Sequence, residues 1–215
     1  MKKFVSILIS ALAMCLCLAA LPACTQEPSP SEVTKSALDA MKAQDIETLA
    51  KYYNGDVNDI QLQLDSITDE ASESAGSSAQ TALADSLMQK IYSYDYVIGE
   101  ESVDGNTATV EVSLTTYDLG STFKTAMDNY FSTVFGMAFA GASEEEMESA
   151  LYEELQSEID SLEEKDYTAD IELALTKTDE GWKLDTLSEE AANAFTGGML
   201  NSANELNENL GSLQM

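Results

Sequence analysis

The sequence predicts an α+β fold, from three observations on the periodicity of its apolar residues. In the first part of the chain, apolar residues recur at helical spacing from Val33 to Ile91. Two later segments alternate apolar and polar residues on either side of turn residues, which is typical of β-hairpins. Helical spacing returns between them, over 119–165. We therefore expect N-terminal helices packed on an antiparallel sheet of about four strands, with a helical hairpin inserted between the two β-hairpins.

The N-terminal helices and the domain limits follow from capping residues and composition. Ser31 is expected to cap the first helix and Asp45 the second, because such side chains accept hydrogen bonds from the free amides of a first turn. A later helix is predicted over 79–92. The domain is predicted to extend over 32–196, followed by a polar C-terminal tail, 197–215. One more helix is indicated by three apolar residues: Ile60, Leu64 and Ile67.

The two β-hairpins give the clearest strand signals. The first is predicted to turn at Asp104-Gly105 and the second within 178–181. Alternation of this kind places one face of a sheet on a core and the other in water. The inward residues are expected to be Tyr94, Tyr96, Ile98, Ala108, Val110, Val112 and Leu114 in the first hairpin, and Ile171, Leu173, Leu175, Trp182 and Leu184 in the second.

The inserted segment, 121–165, is predicted to be a helical hairpin. Ser143 can cap its second helix, with Glu146 in the capping-box position. The second helix carries many glutamates, which we interpret as a solvated face rather than a metal site, because they would point outward along the helix. The first helix is apolar on more than one side, as in a buried or interface helix. We expect its aromatic residues to pack on the sheet; the functional alternative is a groove or interface.

The acidic composition excludes several classes of function. The 215 residues include 39 Asp and Glu against 10 Lys and Arg, with no His, and the formal net charge is -29. All the cations are lysines. Nucleic-acid binding needs a basic surface facing the phosphates, so we expect no nucleic-acid partner. The absence of histidine excludes His-based catalytic triads and His-ligated zinc.

The first 23 residues are predicted to be a signal peptide. Two lysines precede an apolar run that ends at Leu21-Pro22-Ala23-Cys24. This ending resembles the lipobox of bacterial lipoproteins, which implies cleavage after Ala23 and a covalent diacylglycerol or palmitate-like acyl lipid on Cys24, with no other cofactor. An uncleaved membrane anchor is the alternative, because the run is about long enough to span a bilayer. Residues 24–31 would form a short tether, and the protein would lie on the extracytoplasmic face of a bacterial cell membrane.

Several short segments together resemble a known domain family. They are the opening helix over 31–53, the hairpin 103–110, the strand exit 116–119 and the segment 181–185. Their order resembles the α+β architecture of the nuclear transport factor 2-like superfamily with its cystatin-like relatives, and more narrowly that of Gram-positive Firmicute lipoproteins carrying this domain. The resemblance implies a curved sheet and an extracytoplasmic compartment. It implies little about chemistry, since the fold hosts isomerases, dehydratases, transport factors and accessory domains.

Catalysis on this fold would use aspartate with tyrosine inside the cone between sheet and helices. The candidates are Asp95, Asp118 and the neighbouring tyrosines 94, 96 and 117. Asp95 alternates with Tyr94 and Tyr96, so it is expected to point to the opposite face, and Asp118 lies at a strand exit. We therefore predict no catalytic residue and no metal ligand.

The predicted function is that of a non-catalytic domain that binds a ligand or a protein. The membrane would be contacted through the lipid anchor, and the bound partner would be an apolar small molecule or an envelope protein. The alternatives are a small lyase or isomerase of the same fold and a structural accessory subunit of an envelope complex. The residues predicted to line the pocket or interface are Tyr94, Tyr96, Tyr117, Tyr130, Phe131, Phe135 and Trp182.

Overall fold

The computed structural model describes residues 27–57 and 78–212. The predicted cleavage and lipidation residues, Ala23 and Cys24, and the helix predicted from Ile60, Leu64 and Ile67 lie outside these ranges. The described elements, in chain order, are α1 (Pro30–Lys42), α2 (Ile46–Tyr52), α3 (Ser78–Ile91), β1 (Asp95–Asp104), β2 (Thr107–Thr116), α4 (Leu119–Ala140), α5 (Glu144–Asp160), β3 (Tyr167–Thr178), β4 (Gly181–Leu184), α6 (Glu189–Phe195) and α7 (Met199–Ser212).

The four strands form one curved antiparallel sheet in the order β1-β2-β3-β4, which confirms the predicted fold class. Asp104 pairs with Thr107, so the first hairpin has a two-residue turn. Gly105 is the first turn residue and has φ +62, the conformation that a type II′ turn requires there and that favours glycine. The pairing of β1 and β2 shifts between Ile98 and Glu101, which is the mark of a β-bulge.

One face of the sheet is covered by α1, α2 and α6, and the space beneath it is filled by side chains. Leu114, Leu173 and Leu184 are at most 2% exposed, and Trp182 is 9% exposed in the same core. The opposite face carries polar residues at the alternate positions and lies in water. The cone expected beneath the curved sheet is therefore a packed core in the described part of the chain.

The first helix begins earlier than predicted. Its N-cap is Ser29 rather than Ser31, and the Ser29 side chain accepts a hydrogen bond from the amide of Glu32, whose carboxylate accepts one from the amide of Ser29. Pro30 follows the cap, where its fixed φ suits a helix start and its missing N–H costs nothing. The predicted tether is thus shorter than 24–31. Asp45 caps α2 as predicted, accepting from the amide of Thr48.

The helices α3, α4, α5 and α7 pack together in a second layer, which we call the helical layer. Its small core contains Leu87, Ile91, Leu119 and Ile159. The helix α4 packs on α5 and α7, and among the described elements no contact of similar extent joins it to a strand. The expectation that the α4 aromatics pack on the sheet is therefore wrong. The sheet's inner face is already covered by α1, α2 and α6, which leaves no apolar strand surface for α4.

The segment 197–215, predicted to be a polar tail, contains α7 instead. An ion pair of 2.6 Å joins Lys124 of α4 to Glu205 of α7. Ser202 of α7 is buried, and the backbone amide of Gly120 donates to the carbonyl oxygen of Gly197. These contacts with α4 stabilise α7, which has a low intrinsic helix propensity because it contains many asparagines.

Replacing Thr34 by valine should stabilise the protein. Thr34 lies in α1 and is fully buried, and its hydroxyl has no hydrogen-bond partner within the described residues. Removing an unpaired buried hydroxyl at constant shape is expected to raise the free energy of unfolding by about 1 kcal/mol. Urea denaturation measures this. Thr122→Val is the matched control, because the Thr122 hydroxyl donates to the carbonyl oxygen of Asp118; a gain of equal size in both variants would contradict the explanation.

Candidate functional site

Three of the residues predicted to line a site belong to the core under the sheet or pack against it. Trp182 is buried there, and Tyr94 is 1% exposed, with its ring edge-on to Phe195 at 5.0 Å between centroids. The hydroxyl of Tyr96 donates to the Asp39 carboxylate. Burial raises the pKa of both tyrosines above the ordinary value, so their hydroxyl groups remain protonated donors. These residues are therefore held by structural partners among the described residues.

Asp95 connects two distant parts of the chain at one end of the sheet. Its carboxylate lies 2.6 Å from the ammonium of Lys165, just before β3, and 3.0 Å from that of Lys42, at the end of α1. The hydrogen bond to Lys165, and then that to Lys42, hold the pKa of Asp95 below its ordinary value. The residue is therefore an ionised structural link on the exposed side.

Asp95→Asn should lower stability in a pH-dependent way. Because the folded-state pKa of Asp95 lies below the ordinary value of 3.8, its contribution is fully present above about pH 4 and is lost as the pH falls through the folded-state pKa. The side chain is 62% exposed, so the effect is expected to be at most about 1 kcal/mol. Denaturation series at pH 7 and pH 3 compare the variant with the wild type. A difference that grows on acidification would contradict the assignment.

Tyr117 and Asp118 lie at the start of the helical layer. The ring of Tyr117 lies 4.4 Å beneath the ammonium of Lys90, a cation–π contact, and belongs to the second core. Asp118 caps α4, where its carboxylate accepts a hydrogen bond of 2.8 Å from the amide of Ser121. Both residues therefore position α4. They do not converge with Asp95 on one face.

The far end of α4 carries the exposed apolar residues of the helical layer. Phe135 is 67% exposed and Phe139 is 92% exposed. The run between Asp128 and Glu144 contains no Asp, Glu, Lys or Arg, although the whole chain has a net charge of -29. We call residues 134–142, the last turns of α4 with the following turn, the apolar tip. Exposed aromatics grouped in this way are typical of an interaction surface.

The apolar tip is bordered by dense negative charge. Glu144, Glu145 and Glu146 form the first turn of α5 directly after it, where carboxylates are favoured by the helix N-terminus. Ser143 and Glu146 form the predicted capping box, and the hydrogen bond from the Ser143 amide lowers the pKa of Glu146. The turn residue Gly141 has φ +83. The surface is thus apolar at its centre and acidic along one side.

Tyr130 and Phe131 lie nearer the middle of α4 and are half-buried. Their ring centroids are 5.8 Å apart. Phe131 borders a cleft of about 190 Å³ between α4 and α7. Pockets for drug-sized ligands usually enclose about 300–1,000 Å³, so this cleft suits a side chain better than a separate ligand. The residues that line it are Phe123, Lys124, Met127, Asp128, Phe131, Ser202, Glu205, Leu206 and Asn209.

The structure thus divides the predicted residues among four places, and only Phe135 among them lies on the apolar tip. Phe139 is the most exposed aromatic there, and sequence reasoning did not include it among the predicted lining residues. Its position just before Gly141, which ends the helix, was the available signal, since a residue in the last turn of a helix has few neighbours.

Within 27–57 and 78–212, no cluster of side chains suited to a metal ion occurs, and none of the helices is long and apolar enough to cross a bilayer.

These features define an α+β domain with a packed sheet core and a helical layer that presents an apolar end. The sequence matches no known family model and no curated protein. The fold is similar to that of a solved Bacillus subtilis protein described as a "putative lipoprotein (ycdA)", with a TM-score of 0.50 and 18% sequence identity. The similarity covers 78% of this chain and 57% of that one, so this chain spans little more than half the length of the Bacillus protein. At this identity the likeness shows the fold alone.

Proposed function

We propose that this protein is an extracytoplasmic lipoprotein, anchored through a lipid on Cys24, whose domain binds a protein partner and catalyses no reaction. The observation that carries the proposal is the apolar tip, where Phe135 and Phe139 are exposed on a strongly acidic protein. We include in the proposal that the curved sheet with its covering helices is a nuclear transport factor 2-like domain.

The anchor is supported by the sequence and by the fold. Leu21-Pro22-Ala23-Cys24 ends an apolar run in the manner of a lipobox. The Bacillus subtilis protein of similar fold is described as a "putative lipoprotein". A single acylated end is a weak membrane anchor, whereas a diacylglyceryl group supplies the two chains that stable anchoring needs.

Cys24→Ser should release the protein from the membrane. With its leader, the wild type expressed in a bacterial host should separate into the detergent phase and give an intact mass that includes the lipid. The variant has no thiol to accept the diacylglyceryl group and should remain in the aqueous phase. Equal partition of the two proteins, with no lipid mass on either, would disprove the anchor.

Binding at the apolar tip is supported by the energetics of exposure. Aromatic side chains bury about 150–250 Å² each when they are covered. Covering the two exposed phenylalanines would therefore contribute substantially to the free energy of binding a partner. They lie on a well-formed helix that is held at its other end by Leu119 and Ala126. Rigid presentation lowers the entropy cost of binding. The tip is therefore suited to insert into a groove of another protein.

The charges beside the tip indicate the chemistry of the partner. When a partner covers the apolar tip, the contact loses its water, and Glu144, Glu145 and Glu146 lie at its edge. These negative charges favour a partner with lysine or arginine at the edge of its groove. Anionic headgroups would be repelled by the same glutamates, so a protein of the cell envelope fits better than the lipid surface. Such a complex should associate more slowly as salt is added.

A non-catalytic role is supported by the partners of the carboxylates that sequence reasoning considered. Asp95 is held by two lysines and Asp118 caps α4, so both carboxylates are engaged by structural partners within the described residues. General acid–base chemistry needs such groups within hydrogen-bonding reach of a bound substrate.

Thiol labelling in intact cells tests whether a partner covers the apolar tip. Ala140→Cys places a thiol on the tip and leaves both phenylalanines in place, and Val97→Cys places one on the 68% exposed Val97 of β1. In the purified protein, a maleimide should label both at similar rates. In cells, we expect labelling at position 140 to be several-fold slower than at position 97. The same ratio in cells and in the purified protein would overturn the proposal.

A further inference from the structure

The chain between the proposed lipid and the folded domain is very short. Two residues, Thr25 and Gln26, separate Cys24 from Glu27, the first described residue. A fully extended chain advances by at most about 3.6 Å per residue, so the Cα atoms of Cys24 and Glu27 are at most about 11 Å apart. Wherever Glu27 is held on the domain, the lipid attachment point must lie close by.

Glu27 is held at one end of the sheet. Its carboxylate lies 2.8 Å from the ammonium of Lys177 on β3, and its side chain lies beside Gly181 at the start of β4. Four residues along, the amide of Ser31 donates a 3.0 Å hydrogen bond to the carboxylate of Glu101 on β1. Residues 27–31 are thus part of the domain surface and add no further reach to the linker.

The end of the sheet beside Glu27 is formed by the two hairpin turns. The amide of Lys177 donates to the carbonyl oxygen of Asn106, which places the β1–β2 turn next to the β3–β4 turn. We call this the turn end. The opposite end holds the start of β1, the end of β2 and the first turn of α4, about 30 Å away along the strands. The helical layer therefore joins the sheet at the end remote from Glu27.

We propose that the turn end of the sheet faces the lipid headgroups and that the helical layer joins the sheet at its membrane-distal end. This orientation rests on the proposed lipidation of Cys24. The turn end carries acidic residues, among them Asp104, Asp179 and Glu180, beside two lysines. Excess negative charge repels anionic headgroups, so the short linker, and not adhesion of this surface, holds the turn end near the membrane.

Labels at the two ends of β3 test the orientation. Thr168 and Asp179 are both exposed and lie about 35 Å apart along the strand direction. Cleavage after Ala23 removes Cys15 and Cys17, and acylation blocks Cys24, so Thr168→Cys or Asp179→Cys supplies the single reactive thiol. Each lipidated full-length product is labelled with a fluorophore and reconstituted in vesicles of phosphatidylcholine and phosphatidylglycerol that contain headgroup-nitroxide lipid.

The orientation predicts at least threefold stronger nitroxide quenching at position 179 than at position 168. A 20-residue Gly/Ser insertion between Gln26 and Glu27 is the control, because it extends the tether by an r.m.s. distance of about 25 Å and should largely remove the difference. Equal quenching with the native linker, or stronger quenching at position 168, would overturn the orientation while leaving the anchor intact. Protein that fails to float with the vesicles would overturn the anchor and the orientation together.

Discussion

Gly197→Ala is expected to lower the free energy of unfolding by about 3 kcal/mol or more. Gly197 has φ +55, a backbone conformation that costs a residue with a Cβ about 1–2 kcal/mol. An added Cβ would also lie 1.9 Å from the carbonyl oxygen of Tyr117. This oxygen belongs to the backbone and cannot rotate away, so the chain between β2 and α4 must move. The hydrogen bond from Gly120 to Gly197 would be strained or lost with it.

Gly105→Ala is the matched control for that prediction. Gly105 has φ +62, and an added Cβ there has no neighbour within 4 Å, so this variant shows the conformational cost without the clash. Urea denaturation should give a loss of about 1–2 kcal/mol for Gly105→Ala, which is the conformational cost alone. Hydrogen exchange should show increased opening of α4 and α7 in Gly197→Ala alone. Equal losses in the two variants would contradict the close packing assigned to the joint between the sheet and the helical layer.

The double variant Phe135→Ser, Phe139→Ser is expected to weaken partner binding by at least about 30-fold. Aromatic residues at the centre of an interface commonly contribute 2 kcal/mol or more to binding, and 1.4 kcal/mol is a tenfold change. The stability of the free protein should change by no more than about 0.5 kcal/mol, because both rings are mostly in water already. Titration of the partner recovered from cells, together with urea denaturation, separates these two effects.

Val97→Ser is the matched control for the tip. Val97 is 68% exposed, close to the 67% of Phe135, but lies on β1 rather than on the tip. We expect this variant to bind the partner with the affinity of the wild type. Unchanged binding by the double variant, or an equal loss in both proteins, would show that the apolar tip is not the contact surface.

The sheet could be predicted from the sequence because its signals are local. Ala108, Val110, Val112 and Leu114 alternate with polar residues, and a strand places alternate residues on one face whatever the rest of the chain does. The turn at Gly105 is likewise a property of a few adjacent residues. The capping box of Ser143 and Glu146 was correct for the same reason.

The surroundings of α4 could not be predicted, because they depend on contacts distant in sequence. Its pattern shows a helix with more than one apolar side, but which element covers each side is set by the packing of α5 and α7. The asparagine-rich sequence of α7 gives no local helix signal, so the helix that covers part of α4 was absent from the prediction. The cap of α1 was predicted at Ser31, whereas Pro30 at the first helical position and Glu32 in the capping box favour Ser29.

The predicted lining residues show the same limit. Tyr94 and Trp182 are aromatic residues at inward strand positions, and this pattern is the same for a core residue as for a site residue. The structure places both in the core under the sheet. For Phe135 the sequence could not distinguish a buried from an exposed position on a helix with more than one apolar side. Exposure is decided by the tertiary neighbours, and a Cβ added at Gly136 or Gly141 of the apolar tip would have no described atom within 4 Å.

In-cell photo-crosslinking from the apolar tip tests the central claim most directly. A photoreactive phenylalanine analogue replaces Phe139 in one strain and Val97 in another, both with the native leader and Cys24. We expect position 139 to give a discrete adduct with one envelope protein, which is absent from position 97 and greatly reduced when Cys24→Ser releases the protein from the membrane. The same diffuse adducts from both positions, unaffected by Cys24→Ser, would contradict the account of a membrane-anchored domain that binds its partner through the end of α4.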